Sequence, residues 1–431
     1  MSKRLLWVWM IGVWGLLVSP VANAEDNGPC GPDAKSWAAK VAAVQGKVEA
    51  RRSNSDDWHA AKRHALYCPG DQIRVGKASR VSIILINETL IRLDEYSVIT
   101  LTKIESDEPS LLDLLKGIAH FISRVPRSLK VQTPFVNAAI EGTEFVVAVG
   151  ETDTTVTVFE GTVLAENNTG QQRLTHNESA IAKQGQAPEK ILLAKPRDTV
   201  QWALYFPPVI KADAEGNTLQ QASALLYRGR VEEATTLLKD LDNGEAKALQ
   251  AIIAIVNNDT NSAFQLAGAA VQASPEAAAP YIAMSYALQA SLDLDSAVKF
   301  ANEATRKEAD NAIAWARLAE LQLSLGKLDA ALASANKSTQ LDSSIARAQT
   351  ILGYAYLTQI EIEEARTTFN QAIELNQSDP LPHLGLGLAM IRKNELAEGR
   401  RQIEIAASLD PNNAIICSYL GKAYYEEKRS P

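Results

Sequence analysis

From Gly244 to Asn413 one faint pattern returns every 34 residues without an insertion or deletion. With Gly244, Ala278, Ala312, Ala346 and Pro380 as first positions, the twentieth position is Ala263, Ala297, Ala331, Ala365 and Gly399, small every time. Each unit divides into two amphipathic segments of helical length. Turn signals lie between them near Gly326-Lys327 and Asn394-Glu395, and after them near Ser274-Pro275 and Asp410-Pro411. That is a helix hairpin. A single hairpin cannot bury its apolar face, so the units must stack into a superhelix. The small residues let backbones approach, while Tyr281, Trp315, Leu352 and Phe369 fill the space between hairpins. A generic alanine-rich bundle would not hold a constant period. A degenerate unit precedes the five, around Ala222–Tyr227 and Val231–Ala234, and a half copy follows at Leu420-Gly421-Lys422-Ala423-Tyr424.

The best-preserved copy reads Leu352-Gly353-Tyr354-Ala355-Tyr356, then Ala365, Phe369 and Ala372. Leu-Gly-x-x-Tyr in a first helix and Ala-x-x-x-Phe in a second resemble the tetratricopeptide repeat, although Lys247 and Gln349 replace its usual aromatic. The resemblance implies that Ile282, Tyr286, Gln289, Ile313, Glu320, Leu323, Arg347, Thr350, Tyr354, Leu357, Leu381, Leu384, Leu388 and Arg392 line the concave face. That face is largely apolar and lacks the Lys/Asn clamp of relatives that hold C-terminal carboxylates. It is expected to take a hydrophobic or mixed peptide, with Ile282, Tyr286, Gln289, Glu320, Arg347, Tyr354, Leu388 and Arg392 as candidate groove residues. The alternative is that these side chains pack within the superhelix or against the first half.

From Lys40 to about Gln184 the 3.6-residue period gives way to short runs of β-branched residues broken by Gly, Asp, Asn and Pro. Many short strands at close spacing predict a sandwich or a rolled β structure. The chain is therefore read as multidomain, an all-β half followed by an all-α superhelix. Within the β half, Thr133-Pro134, a short apolar run, Gly142-Thr143-Glu144-Phe145 and a strand pair turning at Glu160-Gly161 resemble the FecR domain. Pro69-Gly70-Asp71-Gln72-Ile73-Arg74-Val75 and Ile91-Arg92-Leu93 extend the likeness upstream. Gly142 suits a bulge or bend, and Pro134 marks a strand end. The resemblance implies an envelope-facing sensing or binding domain. Its best-known relatives pair the domain with a cytoplasmic segment and a membrane helix, and relay a signal to a sigma factor. Neither part is present in this sequence.

Lys3 and Arg4 precede an apolar run from Leu5 to Val18, and Ala22-Asn23-Ala24 supplies the small-x-small pattern of signal cleavage. The run of 14 residues is shorter than the roughly 20 that span a bilayer, which favours a cleaved signal over a retained anchor. The expected layout is a signal peptide at 1–24, a FecR-like β domain at 38–185, and a linker at 186–214 with a short amphipathic helix over Thr199–Val209. Helical repeats fill 215–431. Export places the mature chain in the periplasm. In that oxidising compartment Cys30 and Cys68 form a plausible disulfide, while Cys417 is expected to be a buried, inert thiol.

The net charge of −8 argues against nucleic acid as a partner. No metal, nucleophile or phosphate-loop motif appears, so no cofactor and no catalytic residue is predicted. His59 and His64 would face opposite sides of an ideal strand, and Glu141 and Glu144 are read as structural hydrogen-bonding carboxylates. Together these features point to a non-enzymatic interaction or scaffold protein for envelope proteins or glycans. The rival reading is a component of a cell-surface signalling relay, and an enzyme without a recognisable motif is the weakest.

Overall fold

A computed structural model describes Cys30 and residues 37–104, 110–123, 128–193 and 196–429, so the segment read as a signal peptide lies outside the described residues. The first half is all β and the second all α. The strands are β1 (Ala39–Gln45), β2 (Val48–Arg51), β3 (His59–Ala60), β4 (Leu66–Tyr67), β5 (Gln72–Val75), β6 (Arg80–Leu85), β7 (Leu90–Leu93), β8 (Val98–Lys103), β9 (Ser110–Ile122), β10 (Ser128–Gln132), β11 (Asn137–Val149), β12 (Asp153–Asn167), β13 (Gly170–Leu174), β14 (Ser179–Lys183) and β15 (Glu189–Ile191). They form one rolled sheet, antiparallel except where β9 lies beside β10. The long strands make the roll. β9 pairs with β8 and β10 through its first part and with β7 and β11 through its last. At that change Gly117 has φ +89°, and an added Cβ would meet Ser97 Cα at 2.4 Å, so the corner requires glycine. Alternate side chains point into one core, where Phe121 and Phe145 stack with centroids 4.7 Å apart.

The register between β11 and β12 shifts between Glu141 and Glu144, the irregularity that Gly142 anticipates. Glu160-Gly161 does not close a hairpin. It lies inside β12, where Gly161 (φ +82°) bends the strand opposite the β11 irregularity, so the two paired strands curve together. His64 is likewise not a strand residue; it sits in a turn with φ +67°, while His59 belongs to β3.

Within the stretch read as a linker, β15 still belongs to the sheet, and the 3-10 helix Pro196–Ala203 follows it in place of the expected short helix stopped by Pro207-Pro208. After an extended stretch come α1 (Thr218–Tyr227) and α2 (Val231–Leu238), then α3 (Gly244–Val256) and α4 (Thr260–Ala273), and α5 (Ala278–Ala290) and α6 (Leu294–Lys307). The array continues with α7 (Ala312–Ser324) and α8 (Leu328–Leu341), α9 (Ala346–Thr358) and α10 (Ile362–Leu375), α11 (Pro380–Arg392) and α12 (Leu396–Leu409), and α13 (Ala414–Arg429). The five first helices begin on the five positions set by the period. Asn243, Asp259, Asp293, Asn311 and Asp379 cap helix N-termini through side-chain oxygens. Phe369 shows why the repeat needs small residues: a Cβ at Gly353 or Gly385 would approach its ring to 2.6 or 2.3 Å. Cys417 departs from expectation and is exposed, because among the described residues α13 has no second helix of its own hairpin to cover it.

Candidate functional site

Antiparallel sheets commonly bury one face and give the other to water. Here β6 and β7 are buried on both faces, because the linker and the array cover the outer one. Arg80 of β6 donates to Ser378 Oγ at 2.6 Å, to the carbonyl of Tyr227 at 3.1 Å, to the carbonyl of Trp202 and to Gln45. One guanidinium thus touches the sheet, the linker, the end of α1 and the α10–α11 loop. Arg92 of β7 donates to the carbonyl of Ser408 at 2.9 Å and to that of Ala203. Beside them Ala42, Ile84 and Leu90 pack with Tyr205, Ile405 and Leu409. Burial pushes the pKa of Arg80 down to about 10. Burial, with Arg80 nearby, pushes Arg92 down to about 9, and both stay cationic at neutral pH. At the edge of this junction Arg400, 2 % exposed, gathers Glu88 and Glu404 at 2.8 Å each together with Glu427.

The FecR-like motif serves the same junction. Thr133 Oγ1 donates to the carbonyl of Val136 and meets Thr154 Oγ1 at 3.1 Å, which fastens the turn holding Pro134 between β10 and β11. Gly142 and Thr143 occupy the irregular part of β11, and Phe145 is in the core. Glu144 faces outward, 3.1 Å from His120 Nε2 and 2.5 Å from Arg197 of the 3-10 helix. Arg197 lies over the Phe159 ring at 4.3 Å, and Val200 packs with Val146 and Phe159. Burial acts to raise the Glu144 pKa, but His120 and Arg197 outweigh it and hold the carboxyl down at about 2. Burial acts to lower the His120 pKa, against the pull of Glu144. The motif carboxylate therefore clamps the linker to the sheet.

The concave face anticipated as an open peptide groove is filled by the chain itself. Arg347 makes two 3.0 Å bonds to Asp379, a 3.0 Å contact to Glu320 and a 2.9 Å bond to Tyr205 Oη. Glu320 also meets Arg317 at 3.3 Å, and Arg317 stacks 3.6 Å over the Tyr286 ring. Burial acts to lower the Arg347 pKa, but Asp379 and Glu320 outweigh it and keep the group protonated. Phe206 and Val209 join the cluster that contains Ile282 and Ile313. The carbonyl of Ile210 accepts from Ser223 Oγ at 2.8 Å, and Lys211 reaches Asp342 at 2.8 Å. The physical reason is the linker's composition: an apolar Leu204-Tyr205-Phe206 run, held extended by Pro207-Pro208, is tethered beside a matching apolar face. Tyr354 bonds the carbonyl of Leu381 and packs on Phe369, and Leu388 packs within the array. Gln289 is half-buried and Arg392 exposed.

Cys30 and Cys68 are joined by a disulfide, with Cα atoms 5.5 Å apart. Among the described residues no group of His, Cys, Asp and Glu is arranged to hold a metal ion, and no helix is long and apolar enough to cross a membrane.

Residues 71–164 match the family model described as FecR protein, and residues 282–345 and 346–379 match models of the tetratricopeptide repeat. None of the curated proteins matches the chain. A putative anti-sigma factor from Parabacteroides distasonis shares 21 % identity over 33 % of this chain and 68 % of its own, with a TM-score of 0.29. TTC0263, a tetratricopeptide protein of Thermus thermophilus, shares 14 % over 42 % of this chain and 99 % of its own, with a TM-score of 0.36. The pilF protein of Pseudomonas aeruginosa shares 17 % over 43 % and 86 %, with a TM-score of 0.32. Each of these matches covers less than half of this chain.

Proposed function

We propose that this chain, a FecR-type β domain followed by tetratricopeptide repeats, is a non-enzymatic interaction protein of the bacterial periplasm whose two halves act as one docked body. The observation that carries the reading is the shared junction. Among the described residues, Arg80 and Arg92 of the β domain find their acceptors on the linker, the array and neighbouring β1, and the linker in turn occupies the array's groove. Both matched families are interaction or regulatory modules, which supports partner binding over chemistry. Export is supported by the apolar run after Lys3 and Arg4 and by the Cys30–Cys68 bridge. The test is capture of partners by the full chain, crosslinked in place in an envelope fraction and identified by mass spectrometry. Envelope proteins recovered with the wild-type chain, and lost when Arg80 and Arg92 are both replaced by alanine, would support the reading. Recovery of the same partners by the double variant would remove the docked body from the function. The FecR match favours one second reading, a regulator in a surface signalling relay. Receptors and sigma regulators among the captured proteins would select it, and assembly or transport proteins would exclude it.

A further inference from the structure

Beside the groove that holds the linker, a second concavity lies where the halves join. It is a cleft of about 490 Å³, with Lys47 and Lys77 on the sheet side and Tyr227, Arg228, Glu374 and Leu375 on the array side. That volume falls within the roughly 300–1,000 Å³ typical of ligand sites. Both walls are held in place. The Gly76 amide donates to the carbonyl of Lys47 at 2.8 Å and the Lys47 amide to Ser79 Oγ at 2.8 Å, which sets the turns bearing Lys47 and Lys77 side by side. Opposite them, the carbonyl of Tyr227 accepts from Arg80 and from Gln45, each at 3.1 Å, and this pins the end of α1 that carries Arg228. At the following Gly229 (φ +75°) an added Cβ would meet the carbonyl oxygen of Trp202 at 2.1 Å, so the turn is seated on the linker.

The lining holds three cations and one carboxylate in a protein of net charge −8, so the cleft is a local reversal of the protein's field. Lys47 has Glu49 at 3.5 Å, whereas among the described residues Lys77 and Arg228 have no carboxylate partner. Tyr227 is 38 % exposed and Leu375 41 % exposed, an apolar wall beside the cations. We propose that this interdomain cleft binds an acidic peptide segment of a partner protein, its carboxylates facing Lys47, Lys77 and Arg228 and an apolar side chain resting on Tyr227 and Leu375. The inference rests on the protein-interaction reading above and says where the partner sits. Because cations from both halves contribute, the bound segment would bridge the junction rather than one domain.

The experiment is fluorescence anisotropy of the full mature chain with a labelled synthetic peptide of alternating glutamate and leucine. Saturable binding is expected, weakened about tenfold or more by Lys77→Glu with Arg228→Glu and abolished when the peptide's glutamates are glutamines. Glu374→Gln should tighten binding several-fold, a gain that a misfolded variant cannot imitate. Equal binding of the glutamine peptide, or no change in the charge-reversed protein, would overturn the proposal. So would equal competition by an acidic oligosaccharide such as oligogalacturonate, which would reassign the cleft to glycans. Partner capture that survives Lys77→Glu with Arg228→Glu would leave the interaction reading standing and remove only this site.

Discussion

Arg347 and Arg80 are both buried cations, yet the chain answers them differently. Arg347 meets Asp379 and Glu320, carboxylates carried by the array itself, so its charge is balanced whatever the β domain does. Arg80 meets carbonyls, a hydroxyl and an amide drawn from β1, the linker, α1 and the α10–α11 loop. Most of those acceptors come together only when the halves are docked. Buried charge with one set of fitting acceptors penalises every other arrangement, because a slipped interface would strand the cation without partners. The first network holds the superhelix and reads Tyr205; the second selects how the two halves sit.

That contrast can be broken at several points. The largest effect is expected from Asp379→Ala, which removes both the bidentate partner of Arg347 and the cap of α11, at about 4 kcal/mol in denaturant unfolding. A loss under about 1 kcal/mol would mean that Glu320 alone suffices. Arg80→Ala leaves several buried acceptors unpaired and should cost about 3 kcal/mol. It should also split thermal unfolding into separate β and array transitions; one unshifted transition would show that the apolar contacts around Tyr205 hold the junction unaided.

Acid should act on the array through His383. Burial pushes its pKa down to about 4, from an ordinary value near 6.5 in the unfolded chain. Because the folded value is the lower one, stability is full above pH 6.5 and falls as pH drops toward 4, by about 3 kcal/mol. His120, also lowered by burial, adds in the same direction at the linker clamp. His383→Gln should flatten the slope between pH 6.5 and 4; an unchanged slope would move it to the other histidines that burial lowers, His120 and His64. Tyr205→Phe keeps the ring and deletes one bond to a cation, for a loss of about 1.5 kcal/mol. Lys211→Ala touches only an exposed pair with Asp342 and should change stability by less than about 0.5 kcal/mol.

The array was legible because its period is geometric: each first helix begins where the 34-residue register puts it, and Ala263 through Gly399 sit where backbones must approach. The β half was legible as strands but less so in its connections. Glu160-Gly161 looks like a turn in sequence, and only the matching irregularity at Gly142 makes it a bend in one long strand. The junction was the least legible part. Tyr205 and Phe206 beside two prolines fit a helix end as well as a groove occupant, since both need apolar side chains near a backbone stop. A signal was nonetheless present: Arg80 adjoins Val-Ser-Ile-Ile-Leu and Arg92 sits within Leu-Ile-Arg-Leu, cations in strands too apolar to face water. Such residues must meet acceptors on another element, though the sequence does not say which.

The Tyr205 segment is covalently attached to the array whose face it fills, so it is present there at an effective concentration in the millimolar range. A free peptide with the same intrinsic affinity would displace half of it only when that peptide also reached millimolar levels. Competitors for this face are therefore screened by valency as well as fit: a partner that also grips a second surface of the molecule gains the same intramolecular advantage, while a monovalent peptide does not.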